Sequence, residues 1–288
     1  MHFLQKLPSF ALRHKFVSFL HKTRLVTNPT LASFNGGAKA YLDLSDPEPR
    51  NVFIKQVFEP DFFTIAKAML PPDGYFFDLG ANLGLCSFGL MPDRPKTFFH
   101  LFEANARLAA LLKKSCTLYP DSCFILSNFC VTDEPGQTIF HIEEKQSGQS
   151  HVATDSGSGK AVPNLLLDHY CKQRKVDFVD LAKIDLEGHE LPALLGWRKF
   201  LSEHRANGIY IEIIPENQAR YGRPPNAPLL YLESLGYELY LCKEEDFGLF
   251  GNSPIEISLR QGSLTLSHFR AEEYPEDFAT DALALAPT

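Results

Sequence analysis

The chain has 288 residues, 44% of them hydrophobic, which is enough apolar side chain to fill the core of one large α/β domain with additions. A formal net charge of -7 argues against a nucleic-acid surface, which shows itself as a basic patch or stripe. The six cysteines form no CxxC pair, no apolar run reaches the roughly 18 residues of a membrane span, and the first residues lack a signal-peptide pattern; together these predict a cytoplasmic protein with reduced thiols.

Residues 1–26 set Lys6, Arg13, Lys15, Lys22 and Arg24 among Phe3, Leu4, Leu7, Phe10, Phe16 and Phe19. Such a basic amphipathic segment reads as a helix packed on its own domain, with a membrane or partner surface as the alternative. It defines an N-terminal extension over residues 1–33, ahead of a domain over 34–272 and a loose tail over 273–288.

Tyr75-Phe76-Phe77-Asp78-Leu79-Gly80-Ala81-Asn82-Leu83-Gly84 is a short apolar strand running into an acid and a glycine-bracketed turn. Ligands bind at the carboxyl end of such a strand in an open α/β sheet, and Gly80 and Gly84 are expected to let one approach closely. Asn82 stands where a dinucleotide fingerprint has its middle glycine, and Asp78 repels a pyrophosphate, so the turn favours a nucleoside without phosphates. A second strand, Thr97 to Phe102, delivers Glu103 about twenty residues beyond the turn, where a ribose-binding acid belongs. Nicotinamide and adenosyl ligands both satisfy that pair of features.

Further along, Ala106 to Leu118 reads as a helix and Phe124 to Val131 as one strand. Gln137 to Ile142 alternates like an edge strand, and Ser147 to Gly159 is a Ser/Gly-rich insertion that can serve the substrate side. Asn164 to Lys175 then reads as a helix, Phe178 to Ile184 as a buried strand, Leu191 to Phe200 as a helix holding a core Trp197, and Gly208 to Ile214 as a strand. Ala227 to Leu235 is a helix closed by Gly236, followed by closing strands over Tyr237 to Cys242 and Ser263 to Phe269.

Lys183-Ile184-Asp185-Leu186-Glu187-Gly188-His189-Glu190 crowds polar residues onto a strand end. With this segment, Phe77-Asp78-Leu79-Gly80-Ala81-Asn82-Leu83-Gly84 and Phe102-Glu103-Ala104-Asn105, the chain resembles the FkbM family of S-adenosylmethionine-dependent methyltransferases from about Phe34 to about Cys242. Ala104 departs from the proline common after that acid, which alters only the rigidity of the turn.

The resemblance implies a Rossmann-like class I methyltransferase fold, with a seven-stranded, mostly parallel sheet and helices on both faces. It also places Asp78, Gly80, Asn82 and Gly84 around the methionine part of the cofactor, Glu103 on the ribose and Asn128 near the adenine.

Methyl transfer from a sulfonium needs alignment, exclusion of water and, for a hydroxyl acceptor, a base. Asp185, Glu187, His189 and Glu190 are the candidates for that base. Helix N-terminal charge is the plainer reading of Glu190, and a surface position the plainer reading of His189. Asp185 with Glu212, at adjacent strand ends, is the pair from which a magnesium site could be built. Lys183 reads as an internal ion-pair partner.

The expected activity is O-methylation of a hydroxyl on a small molecule, a sugar or secondary metabolite, and homo-oligomers are compatible with it. The rivals are an NAD-dependent oxidoreductase, opposed by the missing glycine, and an adenosyl-binding module without turnover.

Overall fold

The computed structural model describes residues 10–23, 27–143, 146–154 and 159–287. Helix α1 (Phe10–Lys22) occupies the described part of the basic segment. It turns Val17 fully inward and leaves Leu12 and Phe19 exposed. Phe3, Leu4, Lys6, Leu7 and Arg24 lie outside the described residues.

Strands β1 (Thr30–Phe34) and β2 (Ala38–Leu42) pair as an antiparallel hairpin. Ala32, Phe34, Ala38, Ala40 and Leu42 all enter the core, so the domain begins before the expected boundary at Phe34. Helix α2 (Pro47–Lys55) follows, with Asp46 as a side-chain N-cap and Pro47 preset in the first turn, and then α3 (Pro60–Met69).

The main sheet opens with β3 (Tyr75–Leu79), α4 (Leu85–Gly89), β4 (Phe98–Phe102), α5 (Ala106–Cys116) and β5 (Cys123–Ser127). Helix α5 starts where the Asn105 side chain accepts from the Arg107 amide and ends on Lys113 and Lys114, as capping and the helix dipole favour. The chain then leaves the main sheet at Asn128, which splits the single strand expected over 124–131. It builds a small sheet from β6 (Cys130–Val131), β7 (Gln137–His141), β8 (His151–Val152) and β9 (Lys160–Leu165). Asn164 and Leu165 pair with β6 and so end this strand, rather than opening the expected helix, and α6 (Leu167–Arg174) begins only afterwards.

Strand β10 (Leu181–Ile184) returns the chain to the main sheet, and α7 (Glu190–Leu195) and α8 (Arg198–Ser202) replace the single helix expected there. They part at Gly196, where a Cβ would stand 2.1 Å from the Thr132 carbonyl oxygen. There follow β11 (Gly208–Ile213), α9 (Pro215–Ala219), α10 (Ala227–Ser234), β12 (Glu238–Leu241), β13 (Ile255–Leu259), β14 (Gly262–Phe269) and β15 (Thr280–Leu285).

The sheet order is β13-β14-β12-β15-β11-β10-β3-β4-β5. Strands β5, β4, β3, β10 and β11 are parallel, and β15 runs antiparallel between β11 and β12. The expected seven strands are therefore present, and β14 and β13 lengthen the sheet to nine. The tail expected to be loose is instead β15, in the interior of the sheet, with Ala282, Leu283 and Ala284 fully buried.

Successive side chains of a strand point to opposite faces, and Phe76 and Phe77 accordingly enter the two separate halves of the core. One half packs the hairpin and α2 to α5, the other α6 to α8 and α10. Trp197 lies fully buried in the second, stacked on Phe77 at 5.6 Å between ring centroids. The strand order reverses between β3 and β10, and ligands bind at that switch point in open α/β sheets.

Candidate active site

The carboxyl ends of β3 and β10 lie side by side, the Asp185 amide donating to the Leu79 carbonyl at 3.1 Å. Gly80 takes a φ of 79°, and a Cβ there would stand 1.8 Å from the Asp185 carbonyl oxygen. A Cβ on Gly84 would stand 2.5 Å from the Leu112 side chain. The glycines are thus demanded by protein packed against protein. Gly80 still lines the cavity that opens here, whereas Gly84 serves as the N-cap of α4. Asp78 lies beneath the turn, buried, and accepts a hydrogen bond from Ser87 Oγ at 2.6 Å.

Glu103 is buried at the end of β4 and joins the two halves of the turn. Its Oε2 accepts from the Asn82 amide and its Oε1 from the Asn105 amide, each at 2.7 Å. Burial, opposed by those two bonds, raises its carboxyl to about 7. A carboxylate has about four acceptor positions, so lone pairs remain on both oxygens.

The cavity it lines has a volume of about 370 Å³, within the range of small-molecule sites. Beside Glu103 the wall becomes apolar, through Ala104, Leu108, Phe129 and Cys130. Asn128 is not part of this wall. Its Nδ2 donates to the carbonyls of Glu103 and Ala104 at 2.7 and 3.1 Å, so it braces the turn and the neighbouring Phe129 reaches the cavity. Acid and apolar slot together fit a ribose and a purine.

The same cavity is lined by Asp185, Glu187, His189 and Glu212. Asp185 Oδ2 accepts from Lys183 Nζ at 2.7 Å, the internal ion pair expected of Lys183. Glu212 is half-buried, and the neighbouring Asp185 charge, with burial, raises its carboxyl to about 10. Among the described residues no group of three or more His, Cys, Asp or Glu side chains could hold a metal ion, so the structure does not support the expected magnesium site at Asp185 and Glu212.

Glu187 has a φ of 54° and its Oε2 accepts from Asn217 Nδ2 at 2.6 Å. Burial first, and the Asp185 charge second, raise it to about 8. His189 is half-buried, against the expectation of a surface residue, with Nε2 3.1 Å from Thr132 Oγ1. Burial and then Arg223 lower it to about 4, which leaves it neutral. Glu190 points away from the cavity. Its Oε1 accepts from the Leu186 and Gly188 amides at 3.0 Å each, and Gln218 Nε2 donates to its Oε2, so it is withdrawn from the candidates for a base.

The Ser/Gly-rich insertion forms a wall of the same cavity. Its turn at Ser147–Gln149 is latched to the N-cap of α2, the Ser147 amide and Oγ donating to Asp46 Oδ2 at 2.7 and 2.5 Å. Asp46, Glu48, Glu59, Leu108 and Phe129 are lining residues that sequence reasoning missed. Of these only Asp46, as a cap before Pro47, carried any sequence signal.

The family described as the methyltransferase FkbM domain matches residues 78–239. A curated relative, the AMB antimetabolite synthetase AmbE of Pseudomonas aeruginosa, is 26% identical over 56% of this chain, and the match spans 9% of that protein's length. Among solved structures, a precorrin-6y C5,15-methyltransferase from Geobacter metallireducens is similar at a TM-score of 0.40 and 11% identity, over 79% of this chain and 87% of that one. The O-methyltransferase TomG from Streptomyces achromogenes, solved with SAM, is similar at a TM-score of 0.37 and 10% identity, over 79% and 78%. With the family matched over more than half its length and the sheet order in place, this chain belongs to the FkbM methyltransferase domain family, S-adenosylmethionine-dependent methyltransferases of class I fold.

Proposed function

We propose that this methyltransferase transfers the methyl group to a hydroxyl oxygen of an uncharged or cationic small molecule, of the sugar or secondary-metabolite kind. The observation that carries the reading is that Asp185, Glu187 and His189 line the same cavity as Glu103, the acid that fits the nucleoside. Among the described residues no lysine or arginine lines that cavity, which disfavours acceptors bearing phosphate.

S-adenosylmethionine, when bound, supplies an electrophilic methyl on a sulfonium. Glu103 would hold the ribose, and the Leu108 and Phe129 slot the adenine. Glu187 takes the hydroxyl proton, since a base is most effective when its pKa lies near the working pH. Asp185, tethered by Lys183, orients the hydroxyl, and neutral His189 contributes a hydrogen bond in the same cavity. The wall from Ser147 to Gln149 excludes water.

A screen of polyols, sugars and amines with methyl-labelled S-adenosylmethionine tests this, with the product's methyl position read by mass spectrometry. Label on oxygen is expected; label on nitrogen or carbon alone would refute the oxygen assignment.

A further inference from the structure

Beneath the glycine turn, between Asp78 and Cys86, lies a smaller recess of about 40 Å³. Glu48, Glu59 and Asp185 are the acids that line both this recess and the main cavity. Glu103 lines the main cavity alone, so a cofactor with its ribose on Glu103 and its adenine beyond directs its amino-acid end toward the recess. That end carries an α-ammonium and an α-carboxylate on one carbon, with the sulfonium two methylenes away, so only its ammonium and sulfonium are groups that a pair of acids attracts.

Of the three acids, Asp185 already holds the Lys183 ammonium at 2.7 Å. Glu48 and Glu59 make no salt bridge among the described residues, and Lys183 acts on both only through space. Burial, with neighbouring acids adding to it, raises both, Glu48 to about 7. Two carboxylates held close without a counter-ion gain from a cation placed between them.

Each is fixed in position by its own segment. The Glu48 amide donates to the Asp46 cap at 3.2 Å, which sets Glu48 in the first turn of α2, and a Cβ on Gly148 would stand 3.0 Å from Glu48 Oε2, so the Ser147–Gln149 turn closes over it. Glu59 is the N-cap of α3 with a φ of 35°, and its Oε2 accepts from Cys86 Sγ at 3.4 Å. Both precede the segment over 78–239 that the family matches.

We propose that Glu48 and Glu59 form the anionic seat for the α-ammonium and sulfonium of S-adenosylmethionine, so that the segment before β3 completes a cofactor site that the family-matched segment builds only in part. The proposal rests on the methyltransferase reading.

The test is calorimetric titration of the full chain, and of its Glu48→Gln, Glu59→Gln and double variants, with three compounds. S-adenosylmethionine carries ammonium, carboxylate and sulfonium, S-adenosylhomocysteine the ammonium and carboxylate without the sulfonium, and 5′-methylthioadenosine none of the three. The double variant should bind the first at least about 30-fold and the second about 10-fold more weakly, and the third within about twofold of wild type. The single variants, each about five- to tenfold weaker for S-adenosylmethionine, keep the test open should the double variant fail to fold. Wild-type affinity for S-adenosylmethionine should also rise from pH 6 to pH 8 as Glu48 ionises, and Glu48→Gln should flatten that rise. Equal losses for all three compounds, or none, would overturn the seat while leaving the methyltransferase reading intact. Failure of the wild type to bind any of the three would overturn both.

Discussion

Glu187 and His189 sit two residues apart on one strand end, yet their surroundings move them in opposite directions. Burial alone disfavours the charged form of each, and so raises an acid and lowers a histidine. Glu187, at about 8, is the group whose proton is in play near neutral pH; His189, at about 4, is a poor base for the same reason. Glu187→Gln should lower kcat by about 100-fold or more while leaving S-adenosylmethionine affinity within about twofold. His189→Ala should lower it by about tenfold, the loss of a positioning hydrogen bond. Because the base acts ionised, kcat/KM for the acceptor at saturating S-adenosylmethionine should rise with pH through about 8 in the wild type, and that limb should vanish in Glu187→Gln. A retained limb in steady-state profiles would move the base elsewhere. The types and spacing of these residues were legible in the sequence, but which of them titrates was not, since that is set by burial and by neighbours such as Asn217 and Arg223, distant along the chain.

At the level of elements, the strands that carry the three motifs were legible because each is a compact aromatic or β-branched run ending in an acid. Three boundaries were misplaced, all where tertiary pairing overrides local pattern: the split at Asn128, the strand ending at Leu165 and the break at Gly196. Strand β15 was missed outright. Its Thr-Asp-Ala-Leu-Ala-Leu sequence is rich in alanine, which is depleted in strands, yet between β11 and β12 only small side chains alternate with Leu283 and Leu285. Removing residues 273–288 therefore leaves β11 and β12 without their shared partner. That truncation should yield insoluble or unfolded protein by circular dichroism, and a soluble truncation with an unchanged melting temperature would refute the placement of β15.

For the whole molecule, the site gathers more acidic charge than the fold compensates. Glu48 and Glu103 rise from an ordinary 4.5 to about 7, and Glu187 to about 8. Each binds its proton more tightly folded than unfolded, so the stability it contributes is full below about 4.5 and is lost as pH rises through 7 to 8. His100 and His189, lowered to about 4, work the other way, but only below their ordinary 6.5. Between about pH 6.5 and pH 8.5 the carboxyls act alone, and the ligand-free protein should melt at progressively lower temperature across that interval. A cation bound at the site keeps those carboxyls ionised at less cost, so S-adenosylmethionine should stabilise more at the alkaline end. Scanning calorimetry at a series of pH values reads both effects. Composition and charge along the chain indicated one α/β domain; the accumulation of acids from α2, α3, β4, β10 and β11 around one cavity exists only once the sheet is assembled.

Calorimetric titration of the wild type and of Glu103→Ala with S-adenosylmethionine and NAD in parallel bears most directly on this account. The wild type should bind S-adenosylmethionine and not NAD, and Glu103→Ala should bind neither, having lost both the ribose acceptor and the brace between the Asn82 and Asn105 amides. Binding of NAD by the wild type, or undiminished S-adenosylmethionine binding by Glu103→Ala, would contradict it.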